Sequence, residues 1–207
     1  MLKKPAGYDD IQLNEDFTPI ELGGHKGVIT SAEEYTSEVS GNTSLRVCVD
    51  TSKDDKQPSY FTDLYNNASN NGEKKWSNSA IKYVSLKDDE NCVRMLKSFI
   101  TAVENSNPNF TYDWNKDTTQ LKGKKVGLVF GWEEYQDQEG KTKTGTKLTQ
   151  FRSIDKVDTI KIPKVKLLDG TFVDYEEYQN SKKTKEVIND VFGGKVEVED
   201  GQLPFEI

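Results

Sequence analysis

Apolar and polar positions alternate along residues 44–50, where Leu45, Val47 and Val49 share one face, and along residues 124–135, where Val126, Leu128, Phe130 and Trp132 do. A repeat of two marks strands that bury one side. Gly23-Gly24 opens a further strand over residues 25–34, and Ser40-Gly41-Asn42 turns the chain toward the strand at 44–50. A third strand is predicted over residues 60–65, after a polar loop at 53–58. The strand at 124–135 follows Gly123, turns at Gln138-Glu139-Gly140 and returns as a hairpin partner over 142–152. Asp169-Gly170 marks another tight turn. Helical spacing occurs twice. Cys92, Met95, Leu96, Phe99, Ile100 and Val103 form one apolar stripe. Ser85-Leu86-Lys87-Asp88 reads as its capping box, and residues 105–108 stop it. Val187, Ile188, Val191 and Phe192 form a second stripe over residues 184–192, closed by Gly193-Gly194. Between the predicted strand at 60–65 and the first of these helices, residues 66–79 carry no packing pattern except Trp76 and predict a long loop.

Three strands, a helix and a two-strand hairpin is the element order of the OB-fold, a five-stranded Greek-key barrel with its helix between strands three and four. Other small barrels and α+β domains share that order. The expected class is mainly β, with helical additions. Residues 1–22 read as an irregular arm, 23–160 as the barrel domain, 161–194 as an extension with a short helix, and 195–207 as an acidic tail. The 207 residues are 33% apolar and 30% charged, which predicts a small core under a large polar surface. No long apolar run occurs, and Met1-Leu2-Lys3-Lys4-Pro5 leads into acidic sequence, so neither a signal peptide nor a membrane span is expected. Cys48 and Cys92 lie far apart in apolar stretches, as buried thiols of a reducing cytosol would.

A net charge of −7 argues against simple electrostatic adhesion to nucleic acid. The charge is uneven, however: residues 122–166 hold eleven Lys and Arg against six Asp and Glu, a local +5. Proteins that hold single strands need aromatic faces for the bases and cations for the phosphates. Tyr60, Tyr65, Trp76, Trp132 and Tyr135 are the candidates for stacking. Lys74, Lys75, Lys82, Lys143, Lys147 and Arg152 are the candidates for phosphate. Trp76 stands in a polar loop beside Lys75, as either an anchor folded onto the core or a contact residue. Trp132 continues the Val126-Leu128-Phe130 face, which favours packing. Alternation of Lys141 and Lys143 with Thr also suits a merely solvated strand face. His25 is the only histidine and carries no metal signature. Glu133-Glu134 and Asp88-Asp89-Glu90 lack a third spaced ligand, so helix capping and solubility account for them. No phosphate loop or catalytic triad can be assembled. No catalytic residue, metal or cofactor is expected.

The end of the chain carries its own signal. Glu197, Glu199 and Asp200 precede Leu203-Pro204-Phe205. Acids steer a peptide toward a basic partner, and Phe with Pro fills a pocket at low entropic cost. This tail resembles that of bacterial and phage single-stranded-DNA-binding proteins, whose acidic stretch ends in a Pro-Phe tip that recruits replication and repair enzymes. Here Glu206 and Ile207 follow the Phe, a departure from that family. The stretch from Leu121-Lys122-Gly123-Lys124-Lys125 through Glu133-Glu134-Tyr135 to Phe151-Arg152-Ser153, with Tyr60-Phe61, Leu64-Tyr65, Lys75-Trp76 and Phe99-Ile100-Thr101-Ala102, resembles a family of small phage and prophage proteins of Gram-positive bacteria. The resemblance covers about residues 5–165 and the tail tip. It implies an OB core that binds single-stranded DNA in phage replication or recombination, within the host cytoplasm. Tyr60, Tyr65, Lys75, Trp76, Trp132, Lys143, Lys147 and Arg152 would contact the strand. Asp200, Leu203, Pro204 and Phe205 would dock replication or recombination enzymes. Self-association suits such a role, because multivalency raises affinity. The rival expectation, favoured by the net −7, is an interaction barrel of a phage replisome that does not itself bind DNA.

Overall fold

The structure, a computed structural model, describes residue 4, residues 18–68 and residues 74–192, with side chains through residue 184. Its strands are β1 (Gly23–Thr36), β2 (Thr43–Thr51), β3 (Ile81–Ser85), β4 (Lys125–Gln136), β5 (Thr142–Arg152), β6 (Val165–Lys166) and β7 (Phe172–Val173). Its helices are α1 (Tyr60–Asn67), α2 (Glu90–Ser106) and α3 (Tyr175–Phe192). All seven strands join one sheet in the order β3-β2-β1-β4-β6-β7, with β5 on β4. β4 is the hub. It runs antiparallel to β1 through residues 125–130, antiparallel to β5 through residues 127–136, and parallel to β6 at Glu133↔Lys166. Among the described residues no hydrogen-bonded ladder joins β3 to β5, although the two strands touch. The mainly β class expected from the alternation is what forms. The sheet is seven-stranded and open rather than five-stranded.

The strand expected over residues 60–65 is instead α1, and the third strand of the sheet is β3, further along the chain. The cause is tertiary. A short helix leaves its first N–H groups unsatisfied. Asp50, buried at the end of β2, accepts from Phe61 N at 2.8 Å and Thr62 N at 3.2 Å. The Thr51 hydroxyl accepts from Tyr60 N at 2.9 Å. Phe61, Leu64 and Tyr65 then recur at helical spacing, and Phe61 enters the core against Phe130, ring centroids 5.7 Å apart. A fully buried Phe contributes about 1.5–3 kcal/mol relative to an exposed one.

α2 also starts later than its capping box suggested. Asp89, not Ser85, is the N-cap, and its carboxylate accepts from Asn91 N and Cys92 N. The Ser85 hydroxyl is used locally, by Lys87 N. Phe99, Ile100, Ala102 and Val103 bury against β3, β4 and β5, whereas Met95 remains 47% exposed. Cys48 is a buried free thiol and Cys92 a half-buried one. α3 begins at Tyr175, well before residue 184, because its first turns dock on β4 through aromatic rings rather than through aliphatic ones. The expected stripe of Val187, Ile188, Val191 and Phe192 lies outside the described side chains, as do the N-terminal arm before residue 18, Lys4 apart, and the tail. Among the described residues no helix is long and apolar enough to cross a membrane.

The two faces of the sheet are assigned by two bulges. On β1, Ile29 pairs with Val49 and Ser31 with Cys48, which leaves Thr30 as an extra residue. His25 and Ile29 point into the core before it, and Ala32 does so after it. On β5, Gln150 pairs with Val129 and Leu148 with Phe130, which leaves Thr149 extra. The opposite face of β1 and β4 is covered by the 3₁₀ segment Ile154–Thr159. That cover sits on a glycine saddle. A Cβ on Gly24 would lie 2.0 Å from the Val157 carbonyl oxygen, and one on Gly127 would lie 2.6 Å from the Val157 side chain.

Candidate nucleic-acid interface

Directly paired residues on neighbouring strands project to the same face. Glu33 pairs with Arg46 and Arg46 with Tyr83, so one row crosses β1, β2 and β3. The next row holds Tyr35, Ser44 and Ser85. The opposite face carries Ala32, Val47 and Lys82, then Glu34, Leu45 and Val84, four of which belong to the core. Tyr35 and Tyr83 therefore stand on the outside, 42% and 47% exposed, with ring centroids 5.5 Å apart and planes at 56°. Arg46 Nη1 donates to Glu33 Oε1 at 2.6 Å. That carboxylate raises the guanidinium further above its ordinary range, with a smaller contribution from Tyr83. Two exposed rings beside a fixed cation form a platform that can stack a base and hold a phosphate.

Tyr35, Arg46 and Tyr83 were not among the sequence candidates. A strand read over 81–85 would have placed Tyr83 opposite Val84 and out of the core. Tyr35 offered no such signal. It is ten residues from His25, so a regular strand would put both on the buried face. The Thr30 bulge turns it outward.

A second outward strip runs along β5. Lys143, Lys147 and Arg152 pair with Tyr135, Gly131 and Gly127, three residues on one face of β4. Lys147 and Arg152 are five apart and would point to opposite sides of a regular strand; the Thr149 bulge brings them together. Lys143 pairs with Asp137 at 2.9 Å, which holds that carboxyl below its usual value. Lys147 Nζ donates to the Asn78 carbonyl at 3.4 Å, so this strip abuts the segment that leads into β3. Arg152 is exposed.

The loop candidates fold back. Trp76 Nε1 donates to the Val49 carbonyl at 3.2 Å, and its ring lies 5.8 Å from Tyr65 and packs against the core. Tyr60 packs against the core beside Phe61, and burial raises its hydroxyl pKa. Lys74 Nζ lies over the Tyr65 ring and donates to the Asn66 carbonyl at 2.8 Å. Lys75 is exposed next to them. Lys147 reaches this segment only at Asn78, two residues after Trp76. Trp132 is elsewhere. It is half-buried under α3, 5.1 Å from the Tyr175 ring and 6.2 Å from Tyr178. Tyr178 Oη donates to Glu134 Oε1 at 2.7 Å and lies 2.6 Å from the Thr144 hydroxyl. Lys82 sits on the core face, where burial lowers its ammonium pKa and Glu133 partly offsets that.

His25, expected as an ordinary loop or strand residue, is fully buried on β1. Its Nδ1 lies 2.8 Å from Asp55 Oδ2, and its Nε2 donates to the Glu21 carbonyl at 3.1 Å. Both nitrogens are occupied, so neither can serve as a base toward a substrate. The tail residues Asp200, Leu203, Pro204 and Phe205 lie outside the described residues. No family model matches the chain, and no curated protein matches it.

Proposed function

We propose that this chain is a single-stranded-DNA-binding protein of a phage or prophage, built on an OB-type barrel and acting in replication or recombination. The fold supports an OB relation through its connectivity. β1, β2 and β3 form a meander, α2 links β3 to β4, β4 runs antiparallel to β1, and β5 returns from β4 to touch β3. The single observation that carries the function is the exposed Tyr35–Tyr83 pair beside Arg46 on the outside of β1, β2 and β3. Bases stack there, and Lys147 and Arg152 on β5 take the phosphates. Stacking and backbone contacts of this kind do not depend on sequence. The acidic tail recruits replication or recombination enzymes through Leu203, Pro204 and Phe205.

Binding of a labelled oligo(dT) at two salt concentrations tests this reading. Affinity falls with a log–log slope of about −0.7 per neutralised phosphate. Replacing Tyr35 and Tyr83 together by Ala costs about 1–3 kcal/mol per stacked base and changes the melting temperature little, because both rings lie outside the core. Unchanged affinity in that double variant rejects the platform. No binding at all at low salt favours the rival, an interaction barrel, to which the net charge of −7 and the Glu33–Arg46 pairing also lend weight.

A further inference from the structure

Trp114 is the most open large apolar side chain after Val39 among the described residues, 69% exposed, in the connection between α2 and β4. That connection is held firmly. Gln120 accepts from Asp113 N at 2.9 Å and donates to the carbonyls of Asp113 and Asp117, each at 2.9 Å. Asp113 Oδ1 accepts from Asn115 N at 3.0 Å, and its other oxygen pairs with Lys116 at 3.2 Å. Glu104 Oε1 accepts from Tyr112 N at 2.9 Å. Tyr112 packs against the core and meets the Trp114 ring edge-on, centroids 4.8 Å apart. The ring is thus pre-positioned in water, and its ordering cost is met before any ligand arrives.

The position of the loop is equally specific. β4 pairs with β1 only as far as Val28. Beyond that, the Thr118 hydroxyl donates to the Ala32 carbonyl at 2.7 Å and fastens the loop along the vacated edge of β1. Ala32 is three residues from Tyr35. Glu34 lies close enough to Tyr112 to add to the effect of burial in raising its hydroxyl pKa. Glu34 lies on the core face of β1, opposite Tyr35, so the loop runs along the edge of β1 that separates the core face from the Tyr35–Tyr83 platform.

The surroundings of Trp114 select its ligand. Asp113, Asn115, Lys116 and Asp117 are polar, and Asp113 is paired with Lys116. An anchor for a protein partner is normally ringed by apolar contacts that exclude water. Among the described residues Tyr112 is the one aromatic ring that meets Trp114, so a single planar ring is the better match. We propose that Trp114 is a second stacking site for a nucleobase, so that one strand runs from Tyr83 and Tyr35 round the edge of β1 to Trp114. This rests on the single-strand-binding function proposed above.

The test uses the full chain. A variant with Trp76→Phe and Trp132→Phe keeps Trp114 as the only Trp, and its fluorescence should fall when an oligo(dT) of about sixteen nucleotides is added. In the otherwise unaltered protein, Trp114→Ala should weaken that oligonucleotide about tenfold or more. It should leave an oligonucleotide of about four nucleotides, seated on the Tyr35–Tyr83 platform alone, unaffected. If Tyr35→Ala weakens the long oligonucleotide while Trp114→Ala does not, the second site is wrong and the proposed function stands. If Trp114→Ala keeps full DNA affinity but abolishes self-association in sedimentation, the ring belongs to a contact between copies, and the inference is overturned. Failure of the unaltered protein to bind either oligonucleotide removes the proposed function, and this site with it.

Discussion

Asp55 shows how much one side chain can organise. Its carboxylate faces His25 Nδ1 at 2.8 Å, Lys26 N at 2.7 Å and Gln57 N at 3.0 Å, with 4% of the side chain exposed. Gln57 in turn holds Glu21 N and the Pro19 carbonyl. One carboxylate thereby fastens the loop at 52–57 to β1 and to the chain that enters it. Burial pushes the Asp55 pKa up, but the bonds from His25, Gln57 and Lys26 outweigh it and hold the group below its ordinary 3.8. A depressed carboxyl contributes stability that is present above its unfolded value and is lost as pH falls through the folded one. Asp55→Asn should cost about 3 kcal/mol at neutral pH, since it breaks a buried pair. Urea melts at pH 7 and near pH 3 should show that gap shrinking, because protonation removes the same charge from the unaltered protein. A gap that stays constant with pH would mean that shape, not charge, is what Asp55 supplies.

At the scale of elements, the caps distinguish local from tertiary control. α2 is capped by Asp89, its immediate neighbour, in an exposed position. α1 is capped by Asp50, eleven residues away from Phe61 and buried. Asp89→Ala should cost about 1 kcal/mol, the usual value of an N-cap. Asp50→Ala should cost at least about 2 kcal/mol, because it strands one buried and one half-buried N–H group and releases a helix that brings Phe61 into the core. Equal losses for the two variants in chemical denaturation would show that α1 stands on its own residues. The predicted strand at 60–65 failed for the same reason that Asp50 matters. Aromatic residues suit a strand by propensity, but the unsatisfied N–H groups of this segment meet a carboxylate supplied by β2.

At the scale of the whole molecule, charge is the governing quantity. The local +5 is smaller in effect than the sequence suggests, since Lys141, Lys143, Lys164 and Lys166 each pair with an acid. Exposed pairs of this kind are worth only about 0–1 kcal/mol, so a phosphate can displace the acid. Removing residues 195–207 takes away four acids and one lysine. A truncated chain should bind single strands more tightly than the full one, more so at low salt, where screening is weak. Phe205→Ala keeps every charge and should leave DNA affinity alone while losing partner enzymes. Identical salt dependence in the full and truncated proteins would show that the tail does not compete with the strand.

Alternation by itself determined much of this protein. β1, β2, the β4–β5 hairpin and the buried face of α2 all follow from spacing that each segment carries within itself. The basic block and the acidic end are likewise readable in the chain, because charge adds without regard to fold. The tertiary structure decided which side chains meet solvent. Thr30 and Thr149 each insert one residue, and a single insertion reverses every later side chain of a strand. Tyr35 is outside and Arg152 lies beside Lys147 for that reason alone. Trp76 looked like an open loop residue until the Val49 carbonyl supplied its partner. The bulges are fixed by pairing with neighbouring strands and Trp76 by a carbonyl of β2, and no local pattern of residues encodes a partner that is in place only after the sheet has formed.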